Sequence, residues 1–378
     1  VLVPHSRGRD QSTRASALIV RAAASARSDG KDSPYPLAVQ ICGPDISPQL
    51  LSLAEATVDT PFASLAYVRA FQPEICTQLQ HAVAWRGQEL IGILSFYPRG
   101  TALVVVNRLV RLSDAVLERC AAAMLAWHPR AQSVRIDDLY GSPAGGSQYH
   151  ALRSRTWSTM DCVVLELPHE FSAYLERFGP ATRKNLRYCA RRLEREAPAV
   201  KFRMCQREQI DGSVVAGLVR LNHERMASKG TISGIDDAYQ ARLTALCRSH
   251  GIACIATDGA TIVGGTLCTQ VAGGWTLHVI AHDPKFNHVR LGLLCLLRTV
   301  EQAIASGAAR FNLLWGVGDY KLLFGGTVVA LRARRYYRSV AAQVRALADM
   351  RDCAAQCARR GLSRLRRRWY QRRTARTT

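Results

Sequence analysis

Short apolar stretches bounded by polar and turn residues predict strands at Ala38–Cys42, Gln80–Trp85, Glu89–Tyr97, Ala102–Val106, Ser133–Asp138 and, rich in β-branched residues, Cys162–Leu167. Helical spacing between them predicts Pro48–Glu55, Phe62–Ala70, Ser113–Trp127 and a short helix over Tyr149–Trp157. Ser113 is the expected N-cap of the third, with Asp114 and Glu118 in its early turns. Beyond Pro168 the pattern turns helical, through Phe171–Phe178 and, after Gly179-Pro180, Ala181–Glu196. The earlier order then returns. A strand at Val200–Cys205 precedes helices at Ser213–Ala227 and Ala238–His250, and three strands follow at Ile252–Thr257, Ile262–Val271 and Trp275–His282. Helix Leu291–Ser306, strand Arg310–Trp315, helix Asp319–Phe324 and strand Val328–Tyr336 complete the series.

The residues recur as well as the order. Val83-Ala84-Trp85-Arg86-Gly87-Gln88-Glu89-Leu90-Ile91-Gly92 aligns without gaps to Ile255-Ala256-Thr257-Asp258-Gly259-Ala260-Thr261-Ile262-Val263-Gly264, at a constant offset of 172. A hairpin with a turn glycine and a second glycine inside the returning strand is common by itself. Together with the repeated element order it predicts an internal duplication, giving two related α/β halves. The expected division is a disordered leader over 1–37, a degenerate first half over 38–167, a second half over 168–338 and an Arg-rich tail over 339–378.

Composition supports two cores: 378 residues with 48% apolar content suffice for two domains. The net charge of +22 is uneven, because Leu331 to Thr378 alone holds fifteen Arg and two Asp. Such a field favours anionic partners. In the tail, Ala341–Cys357 reads as helical, with Trp369 and Tyr370 as interfacial anchors for peripheral contact with an anionic membrane. Twelve scattered cysteines without CxxC spacing read as buried thiols in a reducing cytoplasm, and no His cluster has metal-binding spacing, so no metal is expected. The uncharged run Gly259 to Ala281 breaks at Ala272-Gly273-Gly274 like a hairpin and is not read as a membrane span.

Candidate chemistry concentrates in the second half. The loop Asp283 to Leu294 enters a helix whose first turn carries Gly292, where backbone N–H groups attract phosphate and Arg290 and Lys285 add charge. The alternative is a glycine packed against the sheet. The corresponding helix of the first half has no glycine, so only the second half is expected to bind a pyrophosphate. Downstream, a strand runs into Gly316-Val317-Gly318 and a short helix carrying Tyr320 near the carboxyl end of the sheet, as a proton donor or as a core-edge tyrosine. The helix Thr182–Glu196 aligns Lys184, Arg187, Arg191 and Arg195 in one basic stripe, either a phosphate or acidic-carrier surface or a solvated face.

The combination of Arg183-Lys184-Asn185-Leu186-Arg187, Arg191-Arg192-Leu193-Glu194, Lys229-Gly230, the two hairpin glycines and Gly318-Asp319-Tyr320-Lys321-Leu322-Leu323-Phe324-Gly325 resembles the GNAT-fold acyltransferases. Within that fold it is most similar to the CelD-type branch associated with bacterial cellulose and exopolysaccharide synthesis, which is related to the FemABX aminoacyltransferases. The resemblance implies tandem GNAT domains with mixed central sheets flanked by helices. It further implies acyl transfer from a thioester, acyl-CoA (acetyl-CoA) or an acyl-carrier protein, to an amine or hydroxyl on a small-molecule or glycan acceptor in the cytoplasm or at the inner membrane face. Tyr320 matches the tyrosine that protonates the leaving thiolate in this fold. His278 lies on the strand beside the acyl pantetheine and is the candidate base, against a satisfied structural histidine. Arg290, Gly292, Leu293 and Lys321 are the expected donor-binding residues. One departure stands out: Arg290-Leu291-Gly292 replaces the family's usual Ser-Pro-Gly. Two rival readings are a FemABX-like enzyme using aminoacyl-tRNA, although the long helical insertion of some members is missing, and a non-catalytic GNAT-fold binding module.

Overall fold

The computed structural model describes residues 36–140, 152–228 and 230–346. The leader, except its last residues, and most of the Arg-rich tail lie outside them, as do the tail anchors Trp369 and Tyr370. The first part of the chain forms β1 (Leu37–Cys42), α1 (Pro48–Thr57), α2 (Leu65–Phe71), β2 (Gln80–Arg86), β3 (Glu89–Arg99), β4 (Ala102–Val105), α3 (Asp114–Trp127), β5 (Ser133–Tyr140) and β6 (Arg153–Glu166). The second forms α4 (Phe171–Glu176), α5 (Pro180–Glu196), β7 (Val200–Gln206), α6 (Gly212–Ala227), α7 (Asp237–His250), β8 (Gly251–Asp258), β9 (Thr261–Val271), β10 (Gly274–His282), α8 (Leu291–Ala305), β11 (Arg310–Trp315), α9 (Asp319–Leu323), β12 (Thr327–Tyr337) and α10 (Val340–Arg345). Side-chain caps start the helices where the sequence offers them: Ser113 accepts from the Val116 N–H, Asp211 from Val214 and Asp236 from Tyr239.

All twelve strands join one mixed sheet in the order β1-β2-β3-β4-β5-β12-β6-β11-β10-β9-β8-β7. The order is symmetric about its centre, each strand of the first six matching one of the last six. The two final strands are exchanged: β6 pairs with β11, β12 pairs with β5, and the two pair with each other along most of their length. The sequence pattern suggested a helix over Tyr149–Trp157, of which 149–151 lie outside the described residues. Residues from Arg153 onward are strand instead, because Arg153–Trp157 lies opposite Ala333–Tyr337 of β12, a long-range pairing that local spacing does not reveal.

The duplication reaches into backbone irregularities. The β2–β3 pair shifts register between Ala84 and Trp85, and the β8–β9 pair does so between Ala256 and Thr257, at the same offset of 172 as the aligned residues. Gly92 and Gly264 each face a leucine entering the next helix, Leu112 and Leu291, with the leucine methyl carbon 2.9 Å from where a Cβ would stand. The parallel pairs β4–β5 and β10–β11 each hold for three residues and then end.

Helices α6 and α8 cover opposite faces of the second half. Val215 and Leu218 of α6 pack with Val279 and Ala281, whereas Leu296 and Val300 of α8 pack with Trp275, Leu277 and Phe311. The first half reaches across the centre through residues 59–71. Phe62, Tyr67 and Phe71 join the core under α6, and Asp59 pairs with Arg111 on its own side (2.7 Å) and Arg310 on the other (3.3 Å). The backbone of Asp59 lies directly on Gly274, so a side chain there would run into its carbonyl group. Because a main-chain group cannot swing aside as a side chain can, Gly274→Ala is expected to destabilise the fold by about 1–3 kcal/mol. Equilibrium urea unfolding measures it, and a loss no larger than an ordinary surface substitution would show that the two halves are not clamped at this point.

Candidate active site

Beyond Thr276 and Asn312 the pairing of β10 with β11 stops, leaving the β11-facing edge of β10 beside the carboxyl ends of both strands. The equivalent gap in the first half is closed by its own backbone. There β4 ends at Val105, and the chain crosses so that the Leu109 N–H donates to the Asp138 carbonyl (2.8 Å) and the Tyr140 N–H to the Val110 carbonyl (3.2 Å). Leu109 takes a left-handed φ of 57° to do so. In the second half, β10 instead continues to His282, and a pocket of about 280 Å³ lies there.

The pocket is lined by Arg225 of α6, Ile280 and His282 of β10, Asn287 and Arg290 of the following loop, Gly292 and Leu293 of α8, and Tyr320 of α9. Four residues singled out from sequence, Arg290, Gly292, Leu293 and Tyr320, thus come together. Arg290 is the N-cap of α8 in a left-handed conformation (φ 52°, ψ 42°), with its carbonyl accepting from the N–H groups of Leu293 and Leu294. No side chain caps this 15-residue helix, so its first-turn amides and macrodipole are directed at the pocket end, an arrangement suited to an anion. A Cβ on Gly292 would stand 2.7 Å from Nδ1 of His282, so the glycine is needed for the imidazole to lie against the helix. That ring is fixed on its other side, with Nε2 donating to Oδ1 of Asn287 at 2.8 Å.

Tyr320 folds back over Gly318, where a Cβ would stand 3.2 Å from its ring. Burial raises the pKa of its phenol, and the nearby charge of Arg225 only partly opposes that shift. The phenol therefore keeps its proton across the neutral range and is a donor.

His278 and Lys321 lie elsewhere. The register of β10 shifts between Leu277 and Val279, so that Leu277 and Ile280 belong to the core on the α8 side while Val279 belongs to the core under α6. His278 sits at this bulge, its Nε2 bonded to the Thr269 hydroxyl (2.8 Å) and its ring 5.8 Å from that of Phe62. Its Nδ1 is buried without a partner, and burial pushes its pKa down to about 4. Lys321 is buried, its ammonium donating to the carbonyls of Leu314 (3.2 Å), Trp315 (2.7 Å) and Gly316 (3.0 Å). Those carbonyls belong to the end of β11 and the glycine after it, where Leu314 takes a left-handed φ of 58° and Gly316 a φ of 78°. Burial lowers the lysine pKa to about 8. Lys321 thus anchors the turn from which α9 carries Tyr320.

Sequence reasoning passed over Arg225, His282 and Asn287. Strict alternation along β10 sets 278, 280 and 282 on one face. The bulge sends 278 to the other, and no residue type in the strand announces it. Among the described residues no group of three or more His, Cys, Asp or Glu is placed to hold a metal, and no helix is long and apolar enough to cross a membrane.

The profile of the acetyltransferase (GNAT) domain family matches residues 180–322, which include every pocket residue. No curated protein sequence matches the chain. Among solved structures, FemX is similar at a TM-score of 0.55 and 11% identity, over 78% of this chain and 96% of that one. L-PGS from Bacillus licheniformis aligns at 0.49 and 13%, over 80% and 96%. A tandem GNAT protein from the clavulanic acid biosynthesis pathway aligns at 0.36 and 13%, over 80% and 98%. The fold is thus an α/β fold of GNAT type, with a large mixed sheet flanked by helices.

The low pKa of His278 has a measurable consequence. An imidazole that titrates near 6.5 when unfolded and near 4 when folded takes up its proton first in the unfolded chain as pH falls. Its contribution to stability is complete above pH 6.5 and is lost between 6.5 and 4. Wild-type protein should accordingly lose unfolding free energy across that window, and His278→Gln should lose less. Parallel urea-unfolding curves at pH 7 and pH 4.5 decide the matter, equal losses in the two proteins being the contrary result.

Proposed function

We propose that the second-half pocket transfers an acyl group from a thioester donor to an amine or hydroxyl acceptor. The carrying observation is the convergence of three features: a protonated Tyr320 phenol, the uncapped start of α8 and the β10 edge that β11 leaves. Each matches a need of the donor. Phosphates of a CoA-type donor suit the α8 amides and Arg290. An amide-bearing pantetheine arm can hydrogen-bond along an open strand edge, as added strands do. A departing thiolate needs a proton, which the phenol can supply.

The reaction balances without further reactants. The acceptor nitrogen or oxygen attacks the thioester carbonyl carbon, the C–S bond breaks and its electron pair stays on sulfur. The thiolate takes the Tyr320 proton, and the proton lost by the acceptor, passed to solvent or to His282, the imidazole of the pocket, is the one that restores the phenol from solvent before the next turnover. His278 is assigned no proton transfer in this scheme, since it packs with Phe62 and does not line the pocket. Lys321 serves the site by holding the turn before α9. The motif around Tyr320 supports a setting in bacterial polysaccharide or envelope synthesis with a glycan or small-molecule acceptor, and the basic stripe of α5 suits an acidic carrier protein as an alternative to CoA.

Tyr320→Phe keeps the ring over Gly318 and removes only the hydroxyl. Turnover should fall about 10²–10⁴-fold, while CoA affinity and melting temperature stay near wild type. Acetyl-CoA, an acyl-carrier-protein thioester and aminoacyl-tRNA are to be compared as donors in the same assay. Full turnover by Tyr320→Phe, where chemistry limits the rate, would return Tyr320 to a packing role.

A further inference from the structure

Arg225 is one of two half-buried arginines, with Arg183, whose Nε is buried without a partner and that form no ion pair among the described residues, and of the two only Arg225 lines the pocket. Arg108 is paired with Asp138 (2.7 Å from Nε), Arg111 with Asp59 and Arg334 with Asp114, and Arg338 donates to backbone carbonyls. Arg225 has no ion pair among the described residues. Its Nε is buried without a hydrogen-bond partner, and one Nη reaches only the sulfur of Met226, at 3.9 Å. A guanidinium carries five N–H donors in a planar fork, and burying one of them, the Nε, without an acceptor is costly. The pocket it lines contains no Asp or Glu, and its other fixed cation is Arg290. The two cations come from opposite sides: Arg290 begins α8, whereas Arg225 belongs to α6, which covers the other face of the sheet. An anion seated on the α8 amides beside Arg290 therefore leaves Arg225 to receive a second one, next to Tyr320.

We propose that Arg225 is the receptor for an oxyanion, a carboxylate or phosphate, that a substrate places beside Tyr320. The inference rests on the acyl-transfer reading for the identity of that substrate, but the anion site itself is defined by the unpartnered Nε of Arg225 in a pocket without carboxylates. The planar fork suits bidentate binding of either oxyanion, which lysine cannot reproduce. Two sources share this chemistry: a phosphate of the donor and an anionic group on the acceptor. The position of Arg225 across the sheet from α8 favours the acceptor. Arg225 is then a specificity-determining residue, selecting acceptors with a negative charge close to the nucleophile.

Small anions test the site without knowledge of the acceptor. In an Arg290→Gln background, which weakens the α8 anion position, inorganic phosphate and succinate are titrated at constant ionic strength while the melting temperature is followed. Both should raise it, chloride should not, and adding Arg225→Gln should increase the half-saturating concentration at least tenfold. Arg225→Lys, which keeps the charge and guards against misfolding of the glutamine variant, should show an intermediate increase. Calorimetric titration of Arg225→Gln with CoA and with phosphate-free pantetheine separates the sources. Unchanged CoA affinity assigns the anion to the acceptor; a tenfold loss for CoA alone assigns it to the donor. The proposal is overturned if small-anion response and CoA affinity are both the same in Arg225→Gln as in its parent. Failure of wild-type protein to bind CoA would count against the acyl-CoA reading and leave the anion titration to be judged by itself.

Discussion

Everything in this molecule hangs on the exchange of β6 and β12. Each half builds five strands of its own and completes its sheet with the last strand of the other, so the central pair belongs to both. The exchange turns two sheets into one and fixes where β11 ends, because β11 is braced on one side by β6 and on the other by β10. The left-handed Leu314 at the end of β11, the lysine that holds the carbonyls there and the short helix bearing Tyr320 follow from that placement. Asp59 and Phe62 add a second clamp, bringing a first-half loop over the bulge of β10.

The two halves share a plan but differ at the end of one strand. Where the first half crosses its own gap with residues 108–110 and spends the opening on backbone hydrogen bonds, the second extends β10 and keeps a lined pocket. A single difference in the path of one strand therefore separates a gap bridged by backbone from one lined by side chains. This asymmetry agrees with the presence of a glycine at the start of α8 and its absence from α3.

Much of this was legible in the residues. The aligned hairpins announced the repeat, and their shared bulges show that the repeat is geometric as well as textual. Tyr320, Gly292 and Arg290 were readable because glycines and a helix start constrain the backbone locally. What stayed hidden depends on distant partners. The β6 strand is stabilised by β12, far along the chain, and so its first residues imitated a helix. The bulge at His278 inverted the face of β10 and exchanged one histidine for another at the pocket. Arg225 is one arginine among many in a basic sequence, and what marks it is its place on the pocket with an Nε that no described residue partners.

The exchange also orders events during synthesis. β5 emerges early, yet its neighbour β12 is the last strand of the sheet to leave the ribosome, with Tyr140 waiting for Leu331. Until then the first half carries an open edge of unsatisfied backbone groups, the kind of surface that invites pairing with another chain. Non-local pairing of this sort slows folding, since the closure of a long loop precedes any reward from contact. A nascent chain stalled before residue 327 has no β12 to cover that edge and would present it to its neighbours on the same messenger, where two such chains could pair edge to edge.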